Sequence, residues 1–251
     1  MPGTFKHILA GALLATTLGA GPPATAAEHV ALKRPVDMPP SADLDYTIKA
    51  RQKGITLGGD GVVSWRVGEG KYSVNSEMRA ALLGKILENR SEGAIDGFGL
   101  APQQWYEKHF RKDGDTTTFD RAAKQVHFSA NDKSLPLAGG EQDRASAQWQ
   151  LAAVARAAPD KMVDGSEWRF FVAGRKDAEP WTFKVIGREK VQTGMGPLEA
   201  VHFSKSPPAD FPEQKVELWL APGKEWYPVK IRYAEEGGEY VEQTLAKVTR
   251  K

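Results

Sequence analysis
Histidines, serines and carboxylates are the groups here with catalytic or metal-binding potential. Beyond His7 near the start, histidines stand at His29, His109, His127 and His202. None lies two or four residues from another, the spacing that sets two imidazoles on one strand or helix face. They are expected to pack or to face solvent, with no metal and no cofactor. A convergence of His109, His127 and His202 would reverse that reading. The chain has no Gly-x-Ser-x-Gly elbow and no cysteine, which removes the hydrolase-type serine and every thiolate nucleophile. Ser91, in Ser91-Glu92-Gly93, reads as a turn, and Ser146, in an alanine-rich run, as a small helix-packing residue. Gly54-x-x-x-Gly58-Gly59 lacks the lysine of a phosphate loop and any surrounding βαβ unit. Glu92, Asp96, Glu217 and Glu242 are carboxylates of the kind a glycoside hydrolase pairs. They are drawn from 32 acidic residues, most of which must be solvated strand faces. Asp113-Gly114-Asp115 lacks the closing glutamate of a calcium loop and reads as a hairpin turn.

Aromatic residues carry the remaining signal. Seven tryptophans stand at Trp65, Trp105, Trp149, Trp168, Trp181, Trp219 and Trp226. In Val216-Glu-Leu-Trp-Leu220 the apolar face is Val216, Leu218 and Leu220, and Trp219 lies opposite with Glu217. Phe171 likewise opposes Phe170 and Val172. Large side chains on both faces imply a sheet covered on both sides or curved around a cavity. Trp149 and Trp219 are the candidate ligand-binding residues.

The elements that must position these residues are mostly strands. Leu44, Tyr46, Ile48 and Ala50 alternate with polar residues, as do Val63, Trp65 and Val67, then Tyr72 and Val74, then Tyr227, Val229, Ile231 and Tyr233. Period-two alternation with one apolar face marks an antiparallel sheet. Turns are expected at Gly58–Gly61, Gly68–Gly70, Asp113–Asp115 and Glu236–Gly238, where residues tolerant of positive φ gather. Pro228 marks an edge strand, a strand start or a bulge. Residues 79–90 read either as a short helix or as a strand pair turning at Gly84. One helix is expected over Asp143–Ala157, with Asp143 as its N-cap. Its Ala147-Leu151-Val154 stripe should face the sheet, and Trp149 lies off that stripe. The layout is strands over about 43–135, the helix, then strands over about 166–249. The expected fold class is mainly β: a curved antiparallel sheet, or open half-barrel, with one main helix packed on it.

Composition bounds the compartment. Residues 1–26 read as a signal peptide: Lys6 in the n-region, an apolar stretch from Ile8 to Ala20, and small residues at Ala24-Thr-Ala26. The apolar stretch is about 13 residues, short of the roughly 20 that span a bilayer, so no transmembrane anchor is expected. Residues 27–42, with Pro35, Pro39 and Pro40, read as an extended lead-in, and 43–251 as a single β-rich domain. The formal charge is +2 including the leader, and signs are interspersed, so no nucleic-acid partner is expected. Periplasmic localisation follows, with secretion as second choice.

Several segments, taken in order, resemble the bacterial family of unknown function DUF3108. They are Leu44-Asp-Tyr-Thr-Ile48 with Leu57-Gly-Gly59; Ser91-Glu-Gly93 with Gly99-Leu-Ala-Pro102; and Asp143-Arg-Ala-Ser146. Gly194-Met-Gly196 with Ala200-Val-His202 follows, then Glu217-Leu-Trp-Leu-Ala221 with Tyr227-Pro-Val-Lys-Ile231. The resemblance implies an exported, β-rich protein and supplies no catalytic residues. By fold analogy the layout is similar to the half-barrels that carry lipoproteins in the periplasm.

The function expected from these observations is non-catalytic: a binding or carrier module for a lipid-like or envelope-polymer ligand. Two rivals stay open at this point. One is a glycan hydrolase acting through a carboxylate pair; the other is a ligand-free assembly factor offering edge strands to a partner. The sequence leaves oligomeric state open.

Overall fold
The computed structural model describes residues 29–52, 54–81, 83–205, 215–234 and 236–251. The expected leader, 1–26, lies outside the described residues. Eight strands come first: β1 (Ala42–Gln52), β2 (Ile55–Gly68), β3 (Lys71–Ala80), β4 (Gly84–Asp96), β5 (Gly99–His109), β6 (Asp115–Asp120), β7 (Gln125–Phe128) and β8 (Ser134–Pro136). A short β9 (Gln142–Asp143) leads into the helix α1 (Ser146–Ala157). Then follow β10 (Glu167–Ala173), β11 (Ala178–Thr193), β12 (Gly196–Lys205), β13 (Lys215–Ala221), β14 (Tyr227–Ala234) and β15 (Tyr240–Arg250). All belong to one sheet, in the order β8 through β1, then β15 back through β9. Consecutive strands pair antiparallel, except β8 and β9, which stand at opposite edges, and β9 and β10, whose two-residue ladder is parallel. The join between the halves is β1 with β15, paired from Ala42↔Arg250 to Arg51↔Tyr240. The chain is therefore a curved, mainly β half-barrel with one main helix, as the alternation implied.

A twisted sheet this wide must curl, and here its two ends overlap without hydrogen-bonding into a closed barrel. Phe119, Val126 and Phe128 of β6–β7 pack with Phe171, Ala173 and Ala178 of β10–β11. Thr117 Oγ1 donates to the Gly174 carbonyl at 2.9 Å, Asn131 Nδ2 to the Lys176 carbonyl at 2.9 Å, and Arg175 pairs with Asp115. Phe170 and Val172 cluster with Leu151 and Val154 of the helix, while Phe171 joins the overlap. The apolar residues on both faces of β10 are thus explained by two layers, one on each side.

The sequence misplaces some punctuation. Residues 79–90 belong to a strand pair, β3 ending at Ala80 and β4 starting at Gly84. Glu69 and Gly70 take the positive φ of a two-residue hairpin turn. Gly58–Gly61, expected as a turn, lies inside β2. Its glycines serve close approach instead: a Cβ on Gly59 would stand 2.1 Å from the Arg79 carbonyl oxygen, and one on Gly61 2.4 Å from Met78 Sδ. Pro228 lies near the start of β14, a central strand, where the register with β13 shifts; the bulge and strand-start readings hold and the edge reading does not.

The regular helix starts at Ser146, three residues later than expected, and its cap residue Ala145 makes no side-chain cap. Asp143 nonetheless secures the first turn, accepting the Ala145 and Ser146 amides at 2.8 Å each. The Ala147-Leu151-Val154 stripe packs against Phe170, Val201, Leu218 and Leu220. The helix is buried on nearly every side, including Trp149, Gln150 and Ala153, because the lead-in runs over it. Asp37 N donates to the Ala153 carbonyl at 3.0 Å. The Pro39 carbonyl accepts Trp65 Nε1 at 2.8 Å, and that of Pro40 accepts the Tyr227 hydroxyl at 2.8 Å.

Candidate functional site: the lumen beneath the helix
The concave face of the sheet and the N-terminal half of α1 enclose a lumen with two unlike walls. On one side Trp181, Phe183, Val216, Leu218 and Ile231 form an apolar surface, met by Gln148 from the helix and by Arg144 just before it, with Tyr233 beside them. The space left there is about 10 Å³ for a water-sized molecule, so side chains nearly fill the cleft. Arg144 is exposed at its rim.

The opposite wall is polar. Register pairs Ser76 with Asn89 and Asn89 with Glu107, and, one step along the strands, Ser91 with Trp105 and Trp105 with Thr117. Ser91 bonds to Asp143, just ahead of the helix, so by alternation this whole set faces the lumen. Glu107 is buried and accepts from His109 Nε2 at 2.8 Å. Tyr233 links the walls. Burial, then the Glu107 carboxylate, push its phenol up to about 12, with the Arg144 guanidinium opposing.

A buried polar bolt fixes the helix at this end. Ser91 Oγ donates to Asp143 Oδ2 at 2.5 Å, and the Tyr72 hydroxyl lies 2.9 Å from Ser91 Oγ. The Ser146 hydroxyl accepts the Asp143 amide at 2.9 Å. Gln142 Nε2 donates to the Leu100 carbonyl at 2.7 Å, and Gln150 takes the Leu100 amide at 2.8 Å. Burial pushes the Asp143 carboxyl up to about 6, although Ser91, Ser146 and Ala145 all donate to it. A serine beside a buried aspartate invites a catalytic reading. Both are sealed from solvent and no histidine joins them in these contacts, so the arrangement does the work of a strut. Ser91 lies within β4 and not in the expected turn.

Among the described residues, buried polar atoms without a hydrogen-bond partner here include Trp105 Nε1, Asn89 Oδ1, Trp149 Nε1 and, in the bolt, Gln142 Oε1. Such orphans cost about 1–3 kcal/mol each when unmet and mark places where water or a ligand completes the structure.

The structure does not bring the two candidate tryptophans together. Trp149 is fully buried on the helix, stacked on Trp65 at 4.3 Å with its edge toward Tyr227. Trp219 stands on the other face of β13 from Leu218. His202 stacks on it at 4.3 Å, Lys230 lies 5.0 Å from its centroid, and its N–H donates to Glu189 at 2.5 Å. The long β11–β12 hairpin turns back there, Gly194 N reaching the Leu245 carbonyl at 2.9 Å.

The remaining groups are dispersed. His29 stacks on Phe171 and contacts Glu141, His109 lies in the lumen, His127 is exposed, and His202 covers Trp219. Among the described residues no three histidine or carboxylate side chains converge on a metal. Glu217 and Glu242 are held in ion pairs with Lys215 and Lys230. Glu92 lines an open depression of about 320 Å³ with Glu88, Arg90, Gln104, Tyr106 and Thr116. Glu88 and Glu92 leave β4 four residues apart, about 13 Å along a strand, wider than either glycosidase geometry. The lumen's polar wall escaped sequence reading because Ser76, Asn89 and Glu107 look like solvent-facing strand positions until the sheet curls over them.

A family model described as a protein of unknown function, DUF3108, matches residues 45–245. The chain belongs to this family. No curated protein matches it. Among solved structures it is similar to a β-barrel-like protein of the domain of unknown function DUF1849 from Brucella abortus. That likeness has 12% identity, covers 88% of this chain and 100% of the other, and reaches a TM-score of 0.55, a match of fold alone. A protein from Bacteroides fragilis named as exported, with a YmcC-like fold, is 11% identical over 88% of this chain and 100% of its own, at a TM-score of 0.32. One from Vibrio parahaemolyticus, named as an outer membrane lipoprotein-sorting domain, is 9% identical over 84% and 86%, at 0.28. Among the described residues no helix is long and apolar enough to cross a membrane.

Proposed function
We propose that this chain is an exported periplasmic carrier or binding module, without catalysis, for an amphipathic ligand of the cell envelope. One observation carries the reading: the lumen under the helix joins an apolar wall to a polar one, with orphaned hydrogen-bonding atoms on the polar side. An amphipathic molecule satisfies both walls at once, whereas a folded core has no use for the unmet polar atoms. The leader read in residues 1–26 supplies the export route. Because side chains nearly fill the cleft, making room for a ligand requires the N-terminal turn of α1 to lift or the overlap of β6–β7 on β10–β11 to part. Trp149 forms the plug above the lumen, and its unpaired N–H is the atom it offers. Trp219 backs the apolar wall from the far side of β13. Native mass spectrometry of protein purified from its own periplasm tests the reading. A co-purifying amphiphile of defined mass is expected; protein that is consistently empty and takes up no apolar fluorescent probe refutes it.

A further inference from the structure
We propose that the ligand's head group is uncharged and bears hydroxyls, and that Trp105 and Asn89 recognise it. The inference rests on the carrier reading above and names the ligand class of the same lumen. Trp105 is 1% exposed, yet its indole N–H has no partner. It sits between Ser91 and Thr117 in the ladder and belongs to none of the apolar clusters. Asn89, diagonal to it on the neighbouring strand and on the same face, has a buried Oδ1 equally unpartnered. One orphan is a donor and the other an acceptor. Hydroxyl groups serve both kinds of orphan, because a hydroxyl oxygen accepts while its hydrogen donates. A carboxylate or phosphate ester head accepts only, leaving Asn89 Oδ1 unmet and standing against the buried Glu107 carboxylate, which pairs with Asn89 across β4–β5. The Ser76 hydroxyl extends the same row. The chain of such a ligand would then lie toward Leu218 and Ile231, across the lumen.

Three twelve-carbon probes separate the possibilities: glycerol monolaurate, with two free hydroxyls; methyl laurate, with none; and laurate, an anion. Displacement of an apolar fluorescent probe from the full chain, below the micelle concentration, gives the affinities. Glycerol monolaurate is expected to bind about 5- to 10-fold more tightly than methyl laurate, the worth of about one net hydrogen bond. Trp105→Phe keeps the ring and removes only the N–H; it should bring the ratio of glycerol monolaurate to methyl laurate affinity close to one. Asn89→Leu should do the same independently, so that misfolding of one variant leaves the other decisive. Equal affinities for the two esters, or a preference that survives both substitutions, overturn the proposal and leave the orphans to water. Laurate bound most tightly, with the advantage lost in Arg144→Gln, also overturns it in favour of an anionic head, while keeping the carrier reading. Binding of no probe overturns the carrier reading and this proposal with it.

Discussion

The sheet comes together in two places by different means. At β1–β15 the first and last long strands exchange a full ladder of backbone hydrogen bonds with a single register shift. At the overlap, β6–β7 lies over β10–β11 with aromatic contacts, an Arg175–Asp115 pair and two side-chain-to-carbonyl bonds. A ladder fixes register and must break cooperatively, since each bond depends on its neighbours. A side-chain overlap can part without unpairing any strand. The difference teaches where this fold has room to open: the overlap and the helix beneath it, not the junction of the termini.

Several measurements break or sharpen that contrast. The largest effect is expected at the helix stripe, which the overlap encloses. Leu151→Asp buries an unpaired charge and should cost about 4 kcal/mol or more, read as loss of the cooperative thermal transition. A variant that melts like the wild type would place Leu151 in solvent. Next, Phe171→Ala empties the overlap and should cost about 3 kcal/mol. Its amide exchange should accelerate in β6–β8 more than in β1 and β15; uniform acceleration would show that the two joins unfold as one unit.

The bolt at the helix start gives a pH dependence. Asp143 has a folded pKa raised by burial to about 6. The native state therefore holds this proton more tightly than the unfolded chain. Its contribution is fully present below the unfolded carboxylate pKa and fades as pH rises through the folded value. From pH 4 to pH 7 the wild type should lose stability on the order of 2 kcal/mol through this group. Asp143→Asn should flatten that slope; an unchanged slope would assign it to another group. The smallest effect is expected at the rim of the overlap, where Arg175→Met, at a partly exposed ion pair, should cost about 1 kcal/mol or less. A loss several times larger in urea titration would show that the overlap is held by charge and not by its aromatic cluster.

Much of the architecture was legible in the chain because alternation is a local signal. Tyr227, Val229, Ile231 and Tyr233 announce a strand wherever that strand ends up, and the alanine-rich run after Asp143 announces a helix. The large apolar side chains paired at Phe170 and Phe171, and at Leu218 and Trp219, pointed to cover on both faces or a curve around a cavity. The sequence by itself thus determined the fold class, the single helix with its buried stripe, and the absence of any thiolate chemistry. Tertiary structure decided the rest. It put Gly58–Gly61 inside a strand, since close approach of a neighbouring carbonyl and a turn both call for glycine. It drew Ser91 out of its expected turn and bonded it to Asp143, 52 residues away. It turned Asn89 and Glu107 inward, because which face of a strand is inside depends on the direction in which a fifteen-stranded sheet curls. It also separated Trp149 from Trp219. Alternation tells which residues share a face; only the curl of the open sheet, set by the sum of many small inter-strand twists, tells which face holds the lumen.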